Sequence, residues 1–194
     1  MATDPVPLLS RALDQAGRVI AGLQPDQADL PTPCRSWTVR KLVEHMVGDL
    51  AQFTTAATGG APDWSAPTPP VGDDWIGEFR RGADELIAAW RAAGDLSGTI
   101  TQPGMGEVPA RFPVDMQIAE FAVHAWDLAR ATGQQTDSFD QEVAEAALGW
   151  MSAALVPAFR GSEEEGKSFG PEVPVAADAP PYVRLAAFAG RQPG

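Results

Sequence analysis

The chain has 194 residues, a net charge of −12, one cysteine, 44% apolar and 21% charged side chains. This composition describes a single folded domain, 1–194, with a real core, and no run approaches the ~20 apolar residues that cross a bilayer. The negative field repels phosphate backbones and argues against nucleic acid as a partner, while a lone Cys34 excludes an intramolecular disulfide and any multi-cysteine metal cluster.

The opening segment, MATDPVPLLSRALDQ, has no basic stretch followed by an apolar one, so no secretory signal is read and a cytoplasmic location is expected. Leu8, Leu9, Ala12, Leu13, Ala16, Val19, Ile20 and Leu23 recur with helical period and predict a first helix over 7–23. A Pro-rich break follows. A second helix should start near Thr38, whose hydroxyl caps the first free N–H groups, with Trp37 and Leu42 spaced as a hydrophobic staple. Its stripe is Val39, Leu42, Val43, Met46, Leu50 and Phe53.

The Pro- and Gly-rich stretch 58–74 reads as a loop, and WIGEFRRGADELIAAWRAA as a third amphipathic helix with Trp75, Phe79, Leu86 and Trp90 on its buried side. Residues 94–112 alternate weakly and read as a short hairpin or an irregular loop. Pro113 can open a fourth helix, which Gly133 closes, and a fifth segment spans 139–159. The tail 160–194 holds the acidic run Glu163 to Glu165, an extended PEVPV, and a short helix with Asp178 as its cap and Gly190 past its end. The sum is an all-α fold, a four-helix bundle. Loops of this length are long for antiparallel neighbours and imply crossover connections, with a C-terminal extension packed on the bundle.

Helix four carries an anomaly. At ~100° per residue, Gln117, Glu120, His124, Asp127 and Ala131 share a narrow sector flanked by Met116 and Val123 on one side and Phe121 and Leu128 on the other. A buried carboxylate without a partner costs several kcal/mol, which a cation would offset. On helix two, His45 lies at the edge of the apolar stripe with Asp49 one turn on. If the two helices pack together, His45, Glu120 and His124 meet as a His2Glu set, the donor type of zinc sites that keep one position for water or substrate. Asp127, Asp49 and Gln117 would orient the imidazoles or face substrate. An ordinary surface pair and a satisfied core histidine are the competing readings of the same spacing.

The segments TPCRSWTVRKLVEHMVG at 32–48, AEFAVHAWDLARATG at 119–133, and the closing LAAFAGRQP resemble the DinB-like superfamily. The closest branch is the metal-binding family related to the N-terminal domain of mycothiol-dependent maleylpyruvate isomerase. The resemblance implies that His45, Glu120 and His124 ligate a divalent metal, zinc or alternatively nickel, and that a small thiol such as mycothiol is activated on it to attack an electrophilic substrate. Metal-dependent S-transfer is thus the leading expectation. The alternatives are a hydrolase in which Asp127 or Asp49 acts as general base toward metal-activated water, and a non-catalytic metal-binding stress protein. The family's isomerase carries a further C-terminal domain that this chain has no room for, so a reaction other than maleylpyruvate isomerisation is expected. Exposed apolar helix faces would permit a homodimer.

Two loops, 59–74 and 94–112, are expected to form the mouth of the site. Cys34 precedes a helix start, where a thiol is acidified, yet no histidine is left to serve as its base, so packing at the helix entry is expected. Trp37, Trp126 and Trp150 are read as core or pocket wall, and Arg191 as a structural or exposed arginine by default, able to pair with a carboxylate of substrate or protein. Metal affinity should fall as pH drops through ~6.5, where free imidazole takes up a proton.

Overall fold

The computed structural model describes residues 4–35, 37–102, 106–155, 157–162, 165, 167 and 169–193. Six helices follow in order: α1 Val6–Ala21, α2 Val39–Ala57, α3 Trp75–Ala93, α4 Phe112–Thr132, α5 Gln141–Ala154 and α6 Pro181–Phe188. A two-stranded antiparallel hairpin, β1 Thr99–Gln102 and β2 Gly106–Pro109, lies between α3 and α4. The weak alternation of 94–112 is therefore a hairpin, whose tip, like Glu163 and Glu164 of the acidic run, lies outside the described residues.

The helix boundaries follow from local chemistry. The Thr38 hydroxyl accepts from the Lys41 amide and starts α2, and Asp74 and Asp140 accept from amides of the first turns of α3 and α5. Pro113 falls in the first turn of α4, and Gly133 ends that helix in the left-handed conformation (φ 71°), which glycine adopts without penalty. The fifth segment divides at Leu155 into α5 and a short 3-10 turn, Pro157–Phe159. Asp178 does not cap α6. Pro180 stands at that position with no side-chain hydrogen bond, and the fixed φ of Pro181 starts the helix instead.

α1 packs against α3 and α4, and α2 against the same two helices, while α1 and α2 make at most marginal contact. The four are arranged with α1 diagonal to α2 and α3 diagonal to α4. The connections from α1 to α2 and from α3 to α4 therefore cross the bundle, as the long loops imply. One cluster of buried apolar side chains runs through all of them, with Leu9, Leu42, Leu50, Phe79, Phe121 and Leu128 at its centre.

α5 packs on α4, and α6 on α5. Gln15 of α1, 1% exposed, receives the amide of Asp140 on its Oε1 and donates through Nε2 to the Tyr182 hydroxyl, fastening α6 to the bundle. The extension is tied further by Arg160, whose Nη1 donates to the carbonyls of Gly170 and Phe188. Gly190 (φ 83°) leaves no room for a Cβ: one built there would stand 2.7 Å from the Gly170 Cα. That close crossing of backbone on backbone fixes where Arg191 enters the protein. Among the described residues no helix is long and apolar enough to cross a membrane.

Candidate metal centre

α4 is buried on nearly every side, so the polar groups on it need partners from neighbouring elements. α2 supplies the first. Its His45 Nε2 lies 2.8 Å from Glu120 Oε1, and His124 Nε2 lies 2.9 Å from the same oxygen. The imidazoles meet edge to face with ring centroids 5.1 Å apart. One donor atom from each of His45, Glu120 and His124 lies within 4.8 Å of the others. Ligand atoms each ~2 Å from one ion can stand up to ~4 Å apart, so the set could hold a divalent cation after a small adjustment.

Asp127 sits behind His124. Its Oδ2 is 3.1 Å from His124 Nδ1, and it takes the fork of Arg191 through Nε (3.2 Å) and Nη2 (2.9 Å). The carboxylate is fully buried, and Arg191 is only 6% exposed. A third guanidinium nitrogen, Nη1, donates to the Ala189 carbonyl. This is the arrangement that fixes the tautomer and ring orientation of a ligating histidine. Asp49 is placed differently: its Oδ2 is 3.4 Å from His45 Nε2, and it lines the cavity that Asp127 does not reach.

The electrostatics follow from this geometry. Burial opposes the charge on Glu120, but His124 and His45 hold its carboxyl well below the usual range. Burial also opposes the His124 imidazolium, yet Glu120 and Asp127 outweigh it and raise the imidazole to about 9. In the metal-free protein His124 thus donates from both nitrogens. Burial opposes the charge on Asp127 as well, but Arg191 and then His124 keep its carboxyl low. Asp49 goes the other way, pushed up to about 7 by burial and by the charge of Glu120.

The triad opens onto a cavity of about 460 Å³. Its wall comes from the turn before α2 (Cys34, Trp37), from α2 and α4, from α5 (Trp150, Met151) and from the extension (Lys167, Phe169, Arg191). None of the described residues of 59–74 or 94–112 lines the cavity, so the expected mouth is corrected. The loop 59–74 packs on α2 instead, with Thr68 against Gly48 and Trp64 against Phe53, and the extension supplies the wall beside the triad. Gln117 is also corrected: it is 1% exposed, and its Oε1 accepts from the Trp90 indole, inside the core. Trp37 and Trp150 are pocket wall and Trp126 is core. Cys34 sits at the helix entry as expected, its carbonyl accepting from the Thr32 hydroxyl and the Trp37 amide, and it also lines the cavity.

Two features escaped the sequence. Trp37, read there only as core or wall, lies with its ring centroid 4.3 Å from that of His45 and 5.8 Å from that of His124. Arg191 does pair with a protein carboxylate, but that the partner is Asp127, 64 positions away, leaves no periodic signal.

Residues 9–129 match the family model of the mycothiol maleylpyruvate isomerase N-terminal domain. The chain belongs to this family. It is DinB-like, and the match contains all three residues of the triad. Two Mycobacterium tuberculosis relatives, uncharacterized protein MT0763 of strain CDC 1551 / Oshkosh and uncharacterized protein Rv0738 of strain ATCC 25618 / H37Rv, are each 36% identical over 189 residues, covering 97% of this chain and 98% of theirs. Among solved structures, the chain is similar to a histidine-to-alanine mutant of the mycothiol-dependent maleylpyruvate isomerase. That likeness has a TM-score of 0.58 at 16% identity and covers 85% of this chain and 72% of the other, which is a likeness of fold.

Proposed function

We propose that this member of the family is a metal-dependent thiol S-transferase acting on a small electrophile, with mycothiol as the thiol. His45, Glu120 and His124 hold the ion, zinc in preference to nickel. The observation that carries the reading is the convergence of two imidazoles and one carboxylate at the wall of a 460 Å³ cavity, in a chain with only two histidines. A divalent ion bound there with one position open supplies Lewis acidity, lowering the pKa of a thiol toward neutrality.

The protein's own groups divide the remaining work. Asp127 positions: both its oxygens are engaged and it does not line the cavity, so it orients His124 and does not exchange protons with a substrate. Arg191 keeps Asp127 ionised. Asp49 faces the cavity beside His45 and takes the proton released by the incoming thiol. Trp37 packs against both imidazoles. A cytoplasmic location suits a reaction that needs its thiol reduced.

The test is metal analysis of the purified protein followed by a transfer assay in which mycothiol is compared with other small thiols. Thiol-dependent product formation that requires the metal supports the reading. Metal-dependent turnover of an ester or amide without any thiol would replace it with the hydrolytic one.

A further inference from the structure

S-transfer needs a second reactant, and the cavity wall bears on which kind. Beside the triad the wall is built from Trp37, Met116, Val123, Trp150, Met151 and Phe169. Met116 and Val123 lie one turn to either side of Glu120 on α4, and Trp37 lies against both imidazoles. Indole, phenyl and thioether surfaces are polarizable and suit the face or edge of a flat π-system. The volume of about 460 Å³ falls in the range of small-molecule sites, roughly 300–1,000 Å³.

The charges in the cavity nearly balance. The guanidinium of Arg191 is neutralised by Asp127 through two hydrogen bonds, and the other charged side chains in the wall are Asp49, Glu120 and Lys167. With a divalent ion and the thiolate it activates in place and the thiol proton on Asp49, the charged groups of the wall sum to a single positive charge. That single charge cannot pair both carboxylates of a dianionic reactant, and burying one of them unpaired is costly.

We propose that the electrophile is an uncharged, planar aromatic or conjugated molecule held by this indole, phenyl and thioether wall. The proposal rests on the S-transfer reading above. In the step it implies, the thiolate sulfur attacks an electron-poor carbon and a carbon–sulfur bond forms. The leaving group departs with the electron pair of its own bond to that carbon, and the thiol proton has passed to Asp49. Nothing is oxidised or reduced.

Two unreactive probes of similar shape test the wall apart from the chemistry: meta-dinitrobenzene, uncharged, and isophthalate, a dianion. Each is titrated by calorimetry into the metal-loaded and the metal-free protein. The proposal predicts saturable binding of meta-dinitrobenzene roughly tenfold or more tighter than isophthalate, weakened roughly tenfold in Trp150→Ala. Should circular dichroism show that this variant has lost its helices, Phe169→Ala provides the same comparison. Tighter binding of isophthalate, or no saturable binding of meta-dinitrobenzene, overturns the proposal. Turnover is then followed with chlorodinitrobenzene and mycothiol, where chloride is the leaving group. Product formed at a rate that falls in Trp150→Ala supports the proposal in full. Tight binding of meta-dinitrobenzene with no transfer from any thiol to any electrophile overturns the S-transfer reading and the role of electrophile with it, leaving an aromatic-selective cavity.

Discussion

The Asp127 carboxylate links Arg191 to His124: it accepts two hydrogen bonds from the guanidinium and lies 3.1 Å from the imidazole Nδ1, with no exposure to solvent. A residue of the C-terminal extension thereby sets the state of a residue at the heart of the bundle. Removing one partner of a buried ion pair leaves the other charge uncompensated, at a cost of about 3–5 kcal/mol. Arg191→Met is expected to destabilise the protein by about that amount in denaturant unfolding. The exposed pair between Arg11 and Glu142 is the control, and breaking it should change the midpoint little.

Asp127→Asn keeps the shape of the side chain but weakens its hold on the His124 ring. Loss of such an orienting carboxylate lowers metal affinity about 10- to 100-fold. Competition with a chromogenic chelator measures it. Unchanged affinity would mean that the ring is held by packing alone.

Asp49 bears on chemistry more than on metal retention. Asp49→Asn should lower the transfer rate by about a hundredfold or more while the protein keeps its full complement of metal. Loss of metal together with rate would recast Asp49 as a ligand.

The pH dependence of the metal-free protein follows from His124, whose imidazole is raised to about 9 from an unfolded value near ~6.5. The folded state binds that proton more tightly, so the stabilisation is fully present below pH ~6.5 and is lost as pH rises through about 9. Glu120 and Asp127, both held low, have the opposite sign: their contribution is present above the unfolded carboxylate values near ~4 and is lost as pH falls through the lowered ones. The melting temperature without metal should therefore decline on the alkaline side, and His124→Gln should flatten that limb. A metal ion must also displace the His124 proton. Affinity should climb with pH until about 9, well beyond the ~6.5 expected of an isolated imidazole, and calorimetry in buffers of different ionisation heat should register proton release.

The convergence of His45, Glu120 and His124 was one legible reading of the spacing, since ionisable groups four apart in an apolar arc need a reason, but the family resemblance and not the spacing singled it out from a surface pair or a core histidine. Loop length signalled crossing connections, and two of the three long ones cross, whereas 58–74 joins the neighbours α2 and α3. What the sequence concealed is the work of the extension. Lys167, Phe169 and Arg191 reach the cavity through a segment without periodicity, held by single contacts such as Arg160 on the Phe188 carbonyl and the crossing of Gly170 by Gly190. Helical spacing encodes neighbours on one helix, and such long-range crossings have no counterpart in it. Gln117 shows the converse limit. It shares the sector of Glu120, yet the Trp90 indole of α3 takes it into the core.

The most direct measurement is elemental analysis of the purified protein beside His45→Ala and His124→Ala. The account predicts stoichiometric divalent metal in the parent protein and its loss in both variants, with helical content retained. Full metal occupancy in either variant would contradict the ligand set and the reaction built on it.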